Sequence, residues 1–77
     1  MISFRGKKVV ILGLSVEGLD SVKFFVDQGA QVLCADRRTA RDLGETYRQL
    51  QLYPVDFQLG ENYLNDLQKH EVIVRTP

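Results

Sequence analysis

Little in this chain points to chemistry performed by its own side chains. It contains one cysteine, Cys34, and one histidine, His70. A lone cysteine forms no internal disulfide, which favours a reducing compartment and a cytoplasmic setting. No second Cys or His stands at metal-ligand spacing from either residue, so no metal site is expected. Cys34 lies in an apolar run and reads as a buried, inert thiol; His70, between Lys69 and Glu71, reads as a solvated surface histidine. No charge of one sign dominates: ten Lys and Arg offset ten Asp and Glu. Neither a nucleic acid nor a membrane surface is therefore an expected partner. No apolar run approaches the ~18–20 residues of a membrane span, and the start, Met1 to Lys8, lacks the apolar core and cleavage site of a signal peptide. There is no G-x-x-x-x-G-K-[ST] loop and no Ser-His-Asp arrangement, and Glu45, Glu61 and Asp66 form no paired acid–base pattern. No catalytic residue is expected.

What is present is an alternation of short apolar runs with amphipathic stretches. Val9 to Leu12 is apolar on both faces, as a central parallel strand should be. Leu19, Val22, Phe25 and Val26 recur at helical spacing and predict a helix over residues 17–28. A second strand runs from Gln31 to Ala35 and ends at Asp36. Leu43, Tyr47 and Leu50 predict a helix from about Ala40 to Gln51. Val55, Phe57 and Leu59 alternate with polar residues, which places the third strand at an edge or leaves it one wet face. A short helix is expected over Asn62 to Gln68, burying Tyr63, Leu64 and Leu67, and Val72 to Val74 reads as a fourth strand. Each strand returns through a helix, so the fold class is α/β: a Rossmann-like, doubly wound parallel sheet with strand order 3-2-1-4. Seventy-seven residues allow one domain. A fourth strand with nothing after it would leave an apolar edge, so the chain reads as the N-terminal fragment of a larger protein.

The strongest functional signal is the loop Gly13-Leu14-Ser15-Val16-Glu17-Gly18 between the first strand and the first helix. A helix N-terminus offers unpaired N–H donors and partial positive charge to an anion. Dinucleotide-binding loops read G-x-G-x-x-G, and here Ser15 replaces the middle glycine, where a pyrophosphate would come closest. Glu17 suits the helix dipole but repels a diphosphate. The loop is thus either a phosphate site or a tight turn that lets helix and strand pack closely. Asp36 stands 23 positions after Gly13, where such folds place a carboxylate that accepts from ribose hydroxyls. It could equally cap the next helix. Arg37 and Arg38 follow, either as phosphate or base contacts or as solvated surface. An NAD(P)-binding domain and a scaffold that has lost its ligand are the competing readings, and the missing middle glycine counts against the first.

Gly6-Lys7-Lys8-Val9-Val10-Ile11-Leu12-Gly13-Leu14, then Gly18, Ala35-Asp36-Arg37-Arg38 and Val72-Ile73-Val74-Arg75-Thr76-Pro77 together resemble the first domain of the Mur ligases, in particular the D-glutamate-adding branch. The resemblance covers essentially the whole chain but only one of three family domains. It implies that residues 1–77 bind a UDP-sugar precursor, UDP-MurNAc-L-alanine, for an ATP-dependent amide-forming ligase of peptidoglycan synthesis. On that resemblance Gly13, Leu14, Ser15, Val16, Glu17 and Gly18 would meet the diphosphate, mainly through backbone N–H groups from Ser15 onward. Asp36, Arg37 and Arg38 would lie near the uridine, and Thr76 and Pro77 would close over the uracil side. ATP, Mg²⁺ and the catalytic residues would belong to the rest of the parent chain, so this fragment would not catalyse ligation by itself. The chain departs from the family pattern at Ser15, where glycine is usual, and at Glu17, where Ser or Thr is usual.

Overall fold

The computed structural model describes residues 3–76. Their elements are β1 (Lys8–Leu12), α1 (Val16–Asp27), β2 (Gln31–Asp36), α2 (Ala40–Leu43), α3 (Glu45–Leu50), β3 (Val55–Leu59), a 3-10 turn (Leu67–Lys69) and β4 (Val72–Arg75). The four strands form one parallel sheet in the order β3-β2-β1-β4. This is the expected α/β, Rossmann-like arrangement. β1 lies in the interior because Val9, Val10 and Ile11 are apolar toward both faces, and all three are fully buried. β3 and β4, whose residues are half-buried or exposed and none fully buried, form the two edges.

The two faces are covered unequally. Val9, Ile11, Val32 and Cys34 point to one face and pack against Val22 and Phe25 of α1, Leu43 of α2 and Leu50 of α3. Val10, Leu12 and Ala35 point to the other, where Tyr63 and Leu67 of the β3–β4 connection cover them. The connections leading from β1 to β2 and from β2 to β3 therefore lie on one side of the sheet, and the one leading into β4 lies on the other. β1 and β4 flank the point where the winding reverses, and the crevice at the carboxyl ends of the strands there is where open α/β sheets bind ligands.

Two local expectations are corrected. The predicted helix over Ala40–Gln51 is two short helices, because Gly44 breaks it with φ +58° and ψ −119°, outside the helical basin. The stretch Asn62–Gln68 is not a helix but a series of turns ending in the 3-10 turn, with Asp66 in the left-handed conformation at φ 59°. Its shape is held from outside: the Gln58 side-chain amide on β3 donates to the carbonyls of Tyr63 (2.8 Å) and Asn65 (2.7 Å). Carbonyls facing a strand side chain are not available to an i→i+4 helix ladder.

Candidate functional site

At the carboxyl end of the sheet, on the face opposite α1, lies an open cleft of about 400 Å³. Leu12, Gly13 and Thr76 form its floor where β1 and β4 end. Asp36 and Arg37 stand on the β2 side, Arg75 on the β4 side, and Tyr63 and Leu64 of the connecting segment close it from above the sheet face. Its size falls within the range of small-molecule sites, and its position is the one the winding reversal dictates.

Beside the cleft the loop from Gly13 to Gly18 is pinned from both neighbouring strands. From the β2 side, the Asp36 carboxylate accepts from the Leu14 backbone N–H (Oδ2, 2.8 Å), the Arg38 N–H (Oδ1, 2.8 Å), Arg38 Nε (Oδ1, 3.0 Å) and Arg38 Nη2 (Oδ2, 2.8 Å). Asp36 is the one buried charged residue of the described chain. Burial would push its pKa up, but the Arg38 side-chain bonds, the two backbone N–H groups and the guanidinium charge outweigh it and bring the pKa down to about 2. The Arg38 guanidinium pKa is raised in turn, chiefly by its bond to Asp36. From the β4 side, Thr76 Oγ1 donates to the carbonyls of Gly13 (2.8 Å) and Leu12 (3.1 Å), while the Thr76 N–H donates to Leu12 (2.9 Å).

The two glycines make this close approach feasible. Gly13 sits at φ +96°, and a Cβ there would stand 2.7 Å from Thr76 Oγ1. A Cβ on Gly18 would collide with the Gly13 carbonyl oxygen. The first turn of α1 is thereby packed directly on the end of β1. The packing reading of the loop holds: it is a tight helix–strand joint, and it also presents the N-terminus of a twelve-residue helix at the carboxyl edge of the sheet.

The remaining sequence-predicted residues fall into distinct places. Leu14 is buried and its N–H is taken up by Asp36. Ser15 is the N-cap residue of α1, and its hydroxyl donates to Glu17 Oε2 at 3.3 Å instead of capping the helix. Val16 and Glu17 are exposed in the first turn. Arg37 is exposed on the cleft wall, while Arg38 is turned back onto Asp36. The alternative in which Asp36 caps the following helix is overturned: Thr39 is that cap, its hydroxyl accepting from the Asp42 N–H at 3.3 Å. Pro77 lies outside the described residues. Sequence reasoning missed Arg75, and it assigned Tyr63 and Leu64 to packing alone; all three line the cleft. The available signal for Arg75 was its place at the carboxyl end of a parallel strand, next to the residue matched to the family motif.

Two further expectations bear on chemistry. Cys34 is fully buried, and burial, with a smaller contribution from the Asp56 carboxylate, pushes its thiol up to about 12. It is inert, as expected. His70 is not a freely solvated surface residue: it is half-buried, and its Nδ1 is enclosed without a partner among the described residues. Among the described residues no three His, Cys, Asp or Glu side chains cluster as a metal would need, and no helix is long and apolar enough to cross a membrane.

Comparison with known proteins gives a consistent result. Residues 7–77 match the family model described as the Mur ligase MurD-like, N-terminal domain. The chain is 36% identical over 73 residues to the UDP-N-acetylmuramoylalanine–D-glutamate ligase of Clostridium perfringens, an alignment covering 95% of the chain and 16% of that protein. Against the enzymes of the same name from Clostridium tetani and Clostridium botulinum it is 38% and 39% identical over 71 residues, covering 92% of the chain and 16% of each relative. The chain thus spans about one sixth of the length of these relatives. No solved structure gives a significant match.

Proposed function

The chain belongs to the MurD-like N-terminal domain family of the Mur ligases, and from that premise we propose that it is the UDP-precursor-binding domain of a larger cytoplasmic ligase of peptidoglycan synthesis. Its ligand in this reading is UDP-MurNAc-L-alanine, the amino acid added by the parent enzyme is D-glutamate, and ATP and Mg²⁺ act in the rest of the parent chain. The residues present here do not fit an ATP–Mg²⁺ site, since the chain has no phosphate-loop lysine motif and its described residues no acidic metal cluster. No step of the ligation is assigned to this domain. Its task is to bind and orient one substrate.

The observation that carries the reading is the pinned loop beside the cleft. Asp36 and Thr76 hold Gly13 and Leu14 from both sides, so the N-terminus of α1 is presented with little freedom to lose when an anion binds. This also redefines the role of Asp36. With both carboxylate oxygens engaged by four donors, it acts on the ligand by shaping the loop. That arrangement counts against the ribose-binding role a dinucleotide site would require of it.

The test is thermal unfolding in the presence of UDP, UDP-MurNAc-L-alanine, NAD and NADP at millimolar concentration. A ligand of the native state raises the midpoint in proportion to the logarithm of its concentration over Kd. The uridine compounds are expected to raise it and the nicotinamide compounds to leave it in place. A rise with NAD or NADP alone would sink the reading.

A further inference from the structure

We propose that Arg75, acting with Arg37 across the cleft, holds the phosphate groups of a nucleoside diphosphate from the side of the sheet opposite α1. The inference takes its ligand class from the proposed uridine-diphosphate reading and adds a binding residue to it.

The register places the two arginines. Ala35, Leu12 and Arg75 stand side by side on β2, β1 and β4. Paired residues of a parallel sheet share a face, so Arg75 projects on the same side as Leu12, the side that carries the cleft. One strand separates β2 from β4, about 9–10 Å at the usual strand spacing, and Arg37 lies two residues past Ala35 at the end of β2. The two guanidinium groups thus approach the cleft floor at Leu12 and Gly13 from opposite walls.

Charge completes the case. Neither the Arg37 nor the Arg75 guanidinium has an ion-pair or hydrogen-bond partner among the described residues; the ion pairs are Lys7–Glu71, Arg38–Asp36, Arg48–Glu45 and Lys69–Asp66. The one carboxylate lining the cleft is Asp36, and Arg38 already neutralises it. The cleft therefore keeps two uncompensated positive charges, on residues whose planar forks suit phosphate oxygens. Tyr63 and Leu64 supply the flat, apolar part of the same wall, suited to a base rather than a second anion. Glu17, the carboxylate of the glycine loop, does not line this cleft. A diphosphate entering from this side meets two cations before it meets that charge.

The experiment compares the full chain with its Arg75→Ala, Arg75→Lys and Arg37→Ala variants for binding of uridine, UDP and inorganic pyrophosphate, at low and high salt. Arg75→Ala should weaken UDP and pyrophosphate about tenfold or more, as expected for loss of a charge-assisted hydrogen bond, and leave uridine within about twofold. Arg75→Lys should recover part of the loss, since it keeps the charge without the fork. Added salt should weaken UDP in the wild type more than in Arg75→Ala. The unfolding midpoint without ligand should not move, because Arg75 is exposed and unpaired. Unchanged UDP affinity in Arg75→Ala, or equal loss for uridine and UDP, would overturn the inference while leaving the uridine reading intact. Pyrophosphate binding that depends on Arg75, with uridine unbound and UDP bound no more tightly than pyrophosphate, would keep the inference and defeat that reading. A wild type that binds none of the three probes would defeat both.

Discussion

Asp36 ties three elements together through one carboxylate: the end of β2, the glycine loop through Leu14, and the following bend through Arg38. Its native pKa of about 2, against an ordinary 3.8, has a definite consequence for stability. A depressed native pKa stabilises the fold above the unfolded-state value, near pH 3.8, and that contribution disappears as the pH falls through about 2. At 1.36 kcal/mol per pKa unit the full contribution is about 2 kcal/mol. Asp36→Asn should therefore lower stability at pH 7 by about 1–3 kcal/mol, because the amide turns donors toward the Leu14 and Arg38 donors. Denaturant unfolding of the two proteins as a function of pH should show the gap narrowing from pH 4 toward pH 2. A gap that stayed constant over that window would mean that Asp36 is not held as an anion. The position of Asp36 was legible from its distance after Gly13 and its place at the end of a strand. Its partners were not, since nothing in the spacing distinguishes Arg38, which turns back onto it, from Arg37, which does not.

Among the elements, β1 and α1 meet at a joint with no room for a side chain. Gly18 lies against the Gly13 carbonyl, and Gly13 against Thr76. Gly18→Ala cannot be relieved by a side-chain rotation, because the obstructing atom is backbone; it must lift α1 off the sheet. Overpacking of this kind costs about 1–3 kcal/mol. The expected result is a lowered unfolding midpoint together with loss of UDP-induced stabilisation; a Gly18→Ala protein as stable as the wild type would show that the joint is looser than its geometry. The two elements read wrongly in sequence are instructive at the same scale. The apolar spacing of Leu43, Tyr47 and Leu50 is truly helical, but Gly44 sits inside it and takes a conformation that ends one helix and starts another. Residues 62–68 carry apolar side chains at plausible helical spacing, yet Gln58 binds the carbonyls of Tyr63 and Asn65. A strand side chain from outside the window decided the outcome, and periodicity within the window cannot register it.

For the molecule as a whole, Cys34 is a built-in reporter. It is fully buried in β2 beneath the helical layer, and its thiol is pushed up to about 12, first by burial and then by the nearby Asp56 carboxylate. The thiolate is the reactive form, so labelling by a disulfide reagent at pH 8 requires the sheet to open. The labelling rate should fall when UDP is added, in step with the gain in stability. Rapid labelling of the native protein, independent of ligand, would contradict the burial. A chain of this length has a thin margin of stability, and its two edge strands, with Ile73 of β4 half-exposed, make that margin measurable by such a probe.

The sequence by itself determined the α/β class, the parallel order of four strands and the place of the glycine loop. It could do so because these depend on local apolar patterning, glycine positions and the topological rule that parallel strands must be joined by crossovers. The ligand class it suggested came from the same loop and from the family resemblance. Only the tertiary structure decided that Asp36 and Thr76 pin the loop, that Arg38 is paired while Arg37 is open to the cleft, and that Arg75 stands opposite it. Those assignments join residues up to 64 positions apart, as in the Thr76–Leu12 bond. They depend on strand register and on which face of the sheet each connection crosses. Neither quantity is encoded in any single stretch of the chain; both arise when the four strands are laid side by side.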